Sequence, residues 1–211
     1  MNRREALSSV ALLLGGTIIG ADVFLSGCKT TTKKEKEGLF SKGDVAFLDE
    51  VGDTILPATA SSPGAKEAKI GQFMKTIVTD CYNENDQNIF TSGIKKLNQA
   101  SKKKFDQDFV NLTAGQKHEL LVSLDKEAKD YQDAISKRNS ALTAAQKQER
   151  KLKANKDADD SPHYFTMMKQ LTLWGYFTSE PGATKALRYV AVPGRYQGCI
   201  PYKKGDKAWA T

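Results

Sequence analysis

Histidine is nearly missing from this chain: two residues in 211, with three cysteines and two tryptophans. That scarcity leaves few nitrogen and sulfur ligands for a metal site. There is no HExxH and no Glu-x-x-His pair, so zinc-hydrolase and di-iron bundle ligand sets are unwritten. There is no CxxC or CxxCH, which removes thioredoxin-like, zinc-ribbon and c-type haem sites. A Walker loop, GxGxxG and GxSxG are also lacking, so no nucleotide, flavin or serine-hydrolase signature is present. His118 lies in the first turn of an expected helix and His163 follows Ser161-Pro162; both are expected to be exposed and non-catalytic. Strand-like alternation and internal repeats are absent too.

Two carboxylate clusters stand out. Asp49-Glu50-x-x-Asp53 has helical spacing and is expected to face solvent. Asp157-x-Asp159-Asp160 lacks the glycine and closing glutamate of a calcium loop. Neither is a general acid/base pair, because nothing suggests burial that would shift a pKa.

The N-terminus is rich in signal. Arg3 and Arg4 precede an apolar stretch, Val10 to Leu25, and Leu25-Ser26-Gly27-Cys28 closes it. A positive n-region, an apolar h-region and a small-residue cleavage site are the parts of an export signal. The arginine pair resembles a twin-arginine signal and Leu-Ser-Gly-Cys a bacterial lipobox. Residues 1–27 are therefore expected to be removed and Cys28 lipidated, leaving a periplasmic chain anchored to an envelope membrane. An uncleaved anchor is the alternative, against which Asp22 counts as a costly charge in a span.

Formal net charge is +7. The lysines are spread along the chain and mixed with acids and glutamines, without a stacking platform, so nucleic acid is not an expected partner. Lys33, Lys34 and Lys36 would either sit near lipid headgroups beside the anchor or form part of an ordinary soluble positive surface. With Cys28 acylated, Cys81 and Cys199 form an even pair in an oxidising compartment. A bridge between them would close about 118 residues and stabilise by about 4 kcal/mol in the chain-entropy model. For Cys81, a small core thiol is the alternative.

Residues 28–40 read as a lipidated cysteine and flexible tether, and 41–211 as one domain. The expected fold is all-α: about five helices and a non-regular tail rich in Gly, Pro and aromatics. The stripes are Phe47, Leu48, Val51, Ile55, Leu56; then Ile70, Phe73, Ile77, Val78, Cys81; then Ile89, Phe90, Ile94, Leu97, Phe105. Leu120, Leu121, Leu124, Ala128, Tyr131 and Ile135 follow, and last Tyr164, Phe165, Met168, Leu171, Thr172 and Gly175. Ser41-x-x-Asp44 and Thr113-x-x-Gln116 have capping-box spacing. Ser161 is the expected N-cap of the last helix, with Pro162 at its first position. Residues 136–160 lose the stripe and read as a polar extension or mobile segment.

The dense aromatics come last. Trp174, Tyr176 and Phe177 are either core or partner interface, with Glu180 beside them. Arg195, Tyr196 and Tyr202 sit among fixed turns, which suits an interface with another protein.

These residues also carry a family likeness. Asp53-Thr-Ile-Leu-Pro57, Ser62-Pro-Gly-Ala65, Gly175-Tyr-Phe-Thr-Ser-Glu180 and Val192-Pro-Gly-x-Tyr-x-Gly-Cys199 resemble the gluconate 2-dehydrogenase subunit 3 family. The resemblance implies a small subunit with no cofactor of its own. Its partner would be a large FAD-dependent dehydrogenase of the glucose-methanol-choline type, which oxidises a sugar or sugar acid and passes electrons to a cytochrome or quinone. It further implies that the small subunit carries the export signal for both. The expected function is thus a non-catalytic accessory subunit; a stand-alone helical binding or structural lipoprotein is the alternative.

Overall fold

The second helix of this protein cannot cap itself, and its neighbours do it instead. The computed structural model describes residues 38–143, 146, 161–192, 194, 195 and 198–210. Among these, five α-helices carry the fold: α1 Lys42–Ile55, α2 Ile70–Cys81, α3 Glu84–Phe105, α4 Ala114–Ser140 and α5 Tyr164–Thr178. A 3-10 turn, Phe109–Asn111, joins α3 to α4, and a π turn, Gly182–Ala186, follows α5. The all-α expectation holds.

Helices α1, α3 and α4 start on side-chain caps of their own. Ser41 and Thr113 both close full capping boxes, with Asp44 and Gln116. Asn83 caps α3 by accepting the Asp86 N–H at 2.9 Å. Helix α2 starts instead on Lys69, a left-handed residue (φ 52°) with no side-chain cap. Its orphan Gly71 N–H donates to Asp49 Oδ1 of α1 at 2.8 Å, a charge-assisted bond at the positive end of the helix dipole. At the other end the Gln87 amide of α3 donates to the Val78 and Tyr82 carbonyls at 3.0 and 3.1 Å. Sequence periodicity places α2; its neighbours complete it.

Helix α5 is the centre of the domain and packs against all four other helices. Tyr164, Phe165, Met167, Met168, Leu171, Thr172 and Tyr176 are all buried on it, more than one face can hold. An apolar surface that wraps a helix marks a helix enclosed by others. The other stripes meet it: Phe47, Leu48 and Val51, then Ile70, Met74 and Val78, then Phe90 and Leu97, then Leu120 and Leu124. Thr172 is fully buried and donates to the Met168 carbonyl at 2.8 Å, so its hydroxyl carries no unmet bond.

Several expectations change. Phe40, placed at the end of the tether, is 4% exposed and packs edge-on to Phe90, so the domain begins with it. Helix α5 starts at Tyr164, not at Pro162; its N-cap is His163, whose ring accepts the Phe165 N–H at 3.3 Å. Tyr131 is exposed rather than core, and its hydroxyl donates to the Ser161 carbonyl at 3.1 Å. Cys81 is exposed at the end of α2, and Cys81 and Cys199 are both free thiols. The expected bridge is not formed: the apolar stripe of α2 turns away before its last residue. Among the described residues, no helix is long and apolar enough to cross a membrane. The polar stretch 136–160 begins as the end of α4, and Thr143 with Gln146 repeats the capping-box bonds of Thr113 and Gln116. The remaining residues of that stretch, like Arg3, Arg4, Cys28 and Tyr196, lie outside the described residues.

His163 gives the fold a pH dependence. Contrary to the expectation of an exposed ring, it is half-buried, with its ring 4.4 Å from that of Tyr164 and its Nε2 3.7 Å from Glu127. Burial holds its pKa below the usual histidine value; Glu127 pulls upward and Lys96 adds to the depression. A depressed folded pKa means the unfolded chain binds the proton more readily. The neutral ring's contribution is complete above about pH 6.5 and is lost as pH falls through the lower folded value. Protonation also removes the lone pair that caps α5. The melting temperature should therefore fall between pH 7.5 and pH 5, and His163→Gln should flatten that part of the profile. An equal slope in wild type and variant would refute the assignment.

Candidate functional site

Tyr176 turns out to hold two distant stretches of sequence together. Its ring is 3% exposed, which settles it as core and withdraws it as an interface residue. The phenol hydroxyl donates to the Pro63 carbonyl, and Ser62 Oγ lies 2.6 Å from the phenol oxygen. With the phenol proton committed to Pro63, the serine is the donor to the phenol. Each such bond adds about 1 kcal/mol net. The loop is closed from its own side by Ala65 N–H donating to the Leu56 carbonyl at 2.9 Å. Gly64 sits so tightly that a Cβ there would lie 2.7 Å from both Ala58 N and Asp53 Oδ1. Asp53-Thr-Ile-Leu-Pro57, Ser62-Pro-Gly-Ala65 and Gly175-Tyr-Phe-Thr-Ser-Glu180 are therefore one structural unit.

The carboxylates expected to face solvent are half-buried and structural. Asp49 caps α2, as above. Glu50 accepts from Lys117 of α4 at 2.8 Å and also from Lys66, which ties α1 to α4 and to the start of the next segment. Hydrogen bonds from Lys117 first, then Lys66, hold its pKa below the usual glutamate range. Spacing on α1 was the visible signal; the lysines that claim these groups come from elsewhere in the chain. Among the described residues, no group of three or more His, Cys, Asp and Glu side chains is placed to hold a metal.

His118 is exposed, as expected. It borders an open cleft of about 160 Å³ floored by Ile55, Leu121, Val122 and Phe165 and edged by the Asp125–Lys169 ion pair at 2.6 Å. A single exposed imidazole beside a satisfied ion pair forms no acid/base or nucleophile arrangement.

Several large apolar side chains are exposed near the C-terminus. On the last turns of α5, Leu173, Trp174 and Phe177 face outward at i, i+1 and i+4, and Trp174 is 52% exposed. Trp174 stands edge-on to Phe73 at 5.3 Å, and Phe177 to Tyr176 at 5.1 Å, so both rings are braced against the core. Glu180 is exposed just beyond. In the tail, Arg195 and Tyr202 are exposed, Tyr202 at 76%. Braced aromatics with wet faces suit contact with another macromolecule. Trp209, also in the tail, is exposed, and its ring lies under the Arg188 guanidinium at 4.3 Å.

Residues 42–194 match the family described as Gluconate 2-dehydrogenase subunit 3. The chain belongs to that family. The match takes in all five helices, the Tyr176 unit and the exposed α5 surface; it ends inside Val192-Pro-Gly-x-Tyr-x-Gly-Cys199. No curated protein and no solved structure matches the chain.

Proposed function

We propose that this chain is the non-catalytic accessory subunit of an exported FAD-dependent dehydrogenase acting on a sugar or sugar acid. Membership of a dehydrogenase-subunit family over residues 42–194 carries the reading. The geometry supports it. The residues of the family likeness brace a loop against α5, and the adjoining surface presents Leu173, Trp174 and Phe177 for docking. The catalytic partner holds the flavin and passes electrons on, to a cytochrome or a quinone. This chain stabilises that partner, supplies the export signal through Arg3 and Arg4, and tethers the complex to the periplasmic face of an envelope membrane through lipid on Cys28.

Isolation of the chain from its native cells tests this. A stoichiometric flavin-containing protein should accompany it, and Trp174→Ser with Phe177→Ser should reduce the recovered flavin absorbance at least tenfold, the loss expected from truncating two buried interface aromatics. Recovery of the chain alone would sink the proposal. A stand-alone ligand-binding lipoprotein gains no support: Tyr176, one of the rings such a pocket would need, is buried and fully engaged by Ser62 and Pro63.

A further inference from the structure

The tail is a built loop whose neck is tied and whose body is not buried. Arg188 and Trp209 form a parallel bridge: Arg188 N–H donates to the Ala208 carbonyl at 2.8 Å and Ala210 N–H to the Arg188 carbonyl at 2.9 Å. The Arg188 guanidinium stacks on the Trp209 ring, a cation–π contact that closes the neck a third time. Within the loop, a turn at Lys203–Asp206 is fixed by Asp206 N–H to the Lys203 carbonyl and Lys203 N–H to Asp206 Oδ2, both at 3.0 Å, with Gly205 at φ 96°.

A tied neck ordinarily encloses a loop that packs on itself. Here Tyr189 is 54% exposed, Val192 82% and Tyr202 76%, with Val190 and Ile200 exposed between them. Isolated exposed apolar residues are ordinary on a protein surface; five among the described residues of one loop are not. The charge is equally one-sided. From residue 181 onward there are six cations, Lys185, Arg188, Arg195, Lys203, Lys204 and Lys207, against Asp206 alone. Lys185, outside the loop, pairs with Glu67 at 2.9 Å, and the Asp206 carboxylate is turned inward on the Lys203 N–H. The loop therefore offers wet apolar side chains in a net positive field.

We infer that the described residues of this loop, 189–192, 194, 195 and 198–207, form a second docking element for the catalytic partner, complementary to a patch on it that is apolar at the centre and acidic at the rim. The inference rests on the accessory-subunit reading and extends it, since residues 195–210 lie beyond the family match. A protein surface fits better than a bilayer. Membrane-surface binding uses a continuous apolar face on a helix; here the exposed apolar side chains stand on a non-helical stretch with a tied neck and a fixed turn at Lys203–Asp206. Pre-set loops lose little entropy on docking, and one-signed charge speeds and orients encounter with an acidic patch.

Lys203→Glu with Lys204→Glu reverses two exposed charges without touching the neck, and Tyr202→Ser removes the most exposed aromatic. The native complex, isolated with the full chain as bait, should hold its flavoprotein in about 50 mM salt and lose part of it near 500 mM, where charges are screened within a few ångströms. The double charge variant should retain roughly tenfold less flavin at low salt, as expected for reversed rim charges, and Tyr202→Ser should retain less at either salt. If wild type brings down no flavoprotein, the subunit reading fails and the docking loop with it. If wild type does and the variants retain as much, the loop assignment is overturned while the subunit reading stands. If the variants keep the flavoprotein but leave the membrane fraction, the loop faces lipid and the assignment is likewise overturned.

Discussion

Gly71→Ala should destabilise the domain by roughly 3 kcal/mol, whereas Gly115→Ala, the same change on another helix, should stabilise it. Gly71 is where α2 lies on α1 with no side chain between them. A Cβ there would stand 2.2 Å from the Val45 carbonyl oxygen and 3.0 Å from Asp49 Cγ. Val45 contributes backbone, which no rotamer change can move aside, so the two helices must separate. Overpacking of this kind costs about 1–3 kcal/mol. Separation also weakens the Asp49–Gly71 bond that caps α2, and a hydrogen bond to a charged group adds about 1.5–3 kcal/mol. At about 2–4 °C per kcal/mol for a domain of this size, the melting temperature should fall by roughly 6–12 °C. Gly115 lies in the first turn of α4, and a Cβ added there would meet no atom within 4 Å. Alanine there gains helix propensity and restricts the unfolded chain, raising stability by about 0.5–1 kcal/mol. Thermal unfolding followed by helical circular dichroism measures both. Shifts of the same sign would refute the close helix crossing.

This contrast marks what sequence can show. The helices with self-contained signals were legible: Ser41 and Thr113 with their capping partners, and the periodic stripes of α1, α3 and α4. What depends on a distant partner was not. Asp49 and Glu50 look like a solvated acidic face until Gly71, Lys66 and Lys117 arrive from elsewhere in the chain. Helix α5 hid its buried extent because its run of apolar residues carries little period, so Met167 went unnoticed and Tyr176 stayed undecided between core and surface. Ser161-Pro162 is a reasonable helix start locally; the structure moves that start to His163, whose ring lies beside Tyr131 and Tyr164. Of the aromatics and charges singled out near the C-terminus, Trp174, Phe177, Arg195 and Tyr202 are exposed, while the stacking of Trp209 under Arg188 depends on a partner distant in the chain.

Export and anchoring should come apart when two parts of the N-terminus are changed separately. Arg3→Lys with Arg4→Lys leaves the positive charge of the n-region unaltered, so a route that reads charge alone is unaffected. A route that reads the guanidinium pair is blocked, because arginine's planar fork of donors has no lysine equivalent. The distinction matters for a flavoprotein partner, which must acquire FAD where FAD is made and then cross the membrane folded. On the proposed function, the lysine pair should trap most flavin-dependent sugar-oxidising activity in the cytoplasm, although the catalytic subunit's own sequence is untouched. Cys28→Ser should do the reverse: activity should reach the periplasm and then be released from the membrane fraction. Fractionation with an activity assay on each compartment reads both variants. Undiminished periplasmic activity in the lysine variant would mean the partner does not travel on this signal, leaving Cys28 only the task of anchoring. Membrane-bound activity in the serine variant would remove that task as well. The two substitutions thus separate carriage from tethering, the two jobs that the proposed function gives this chain.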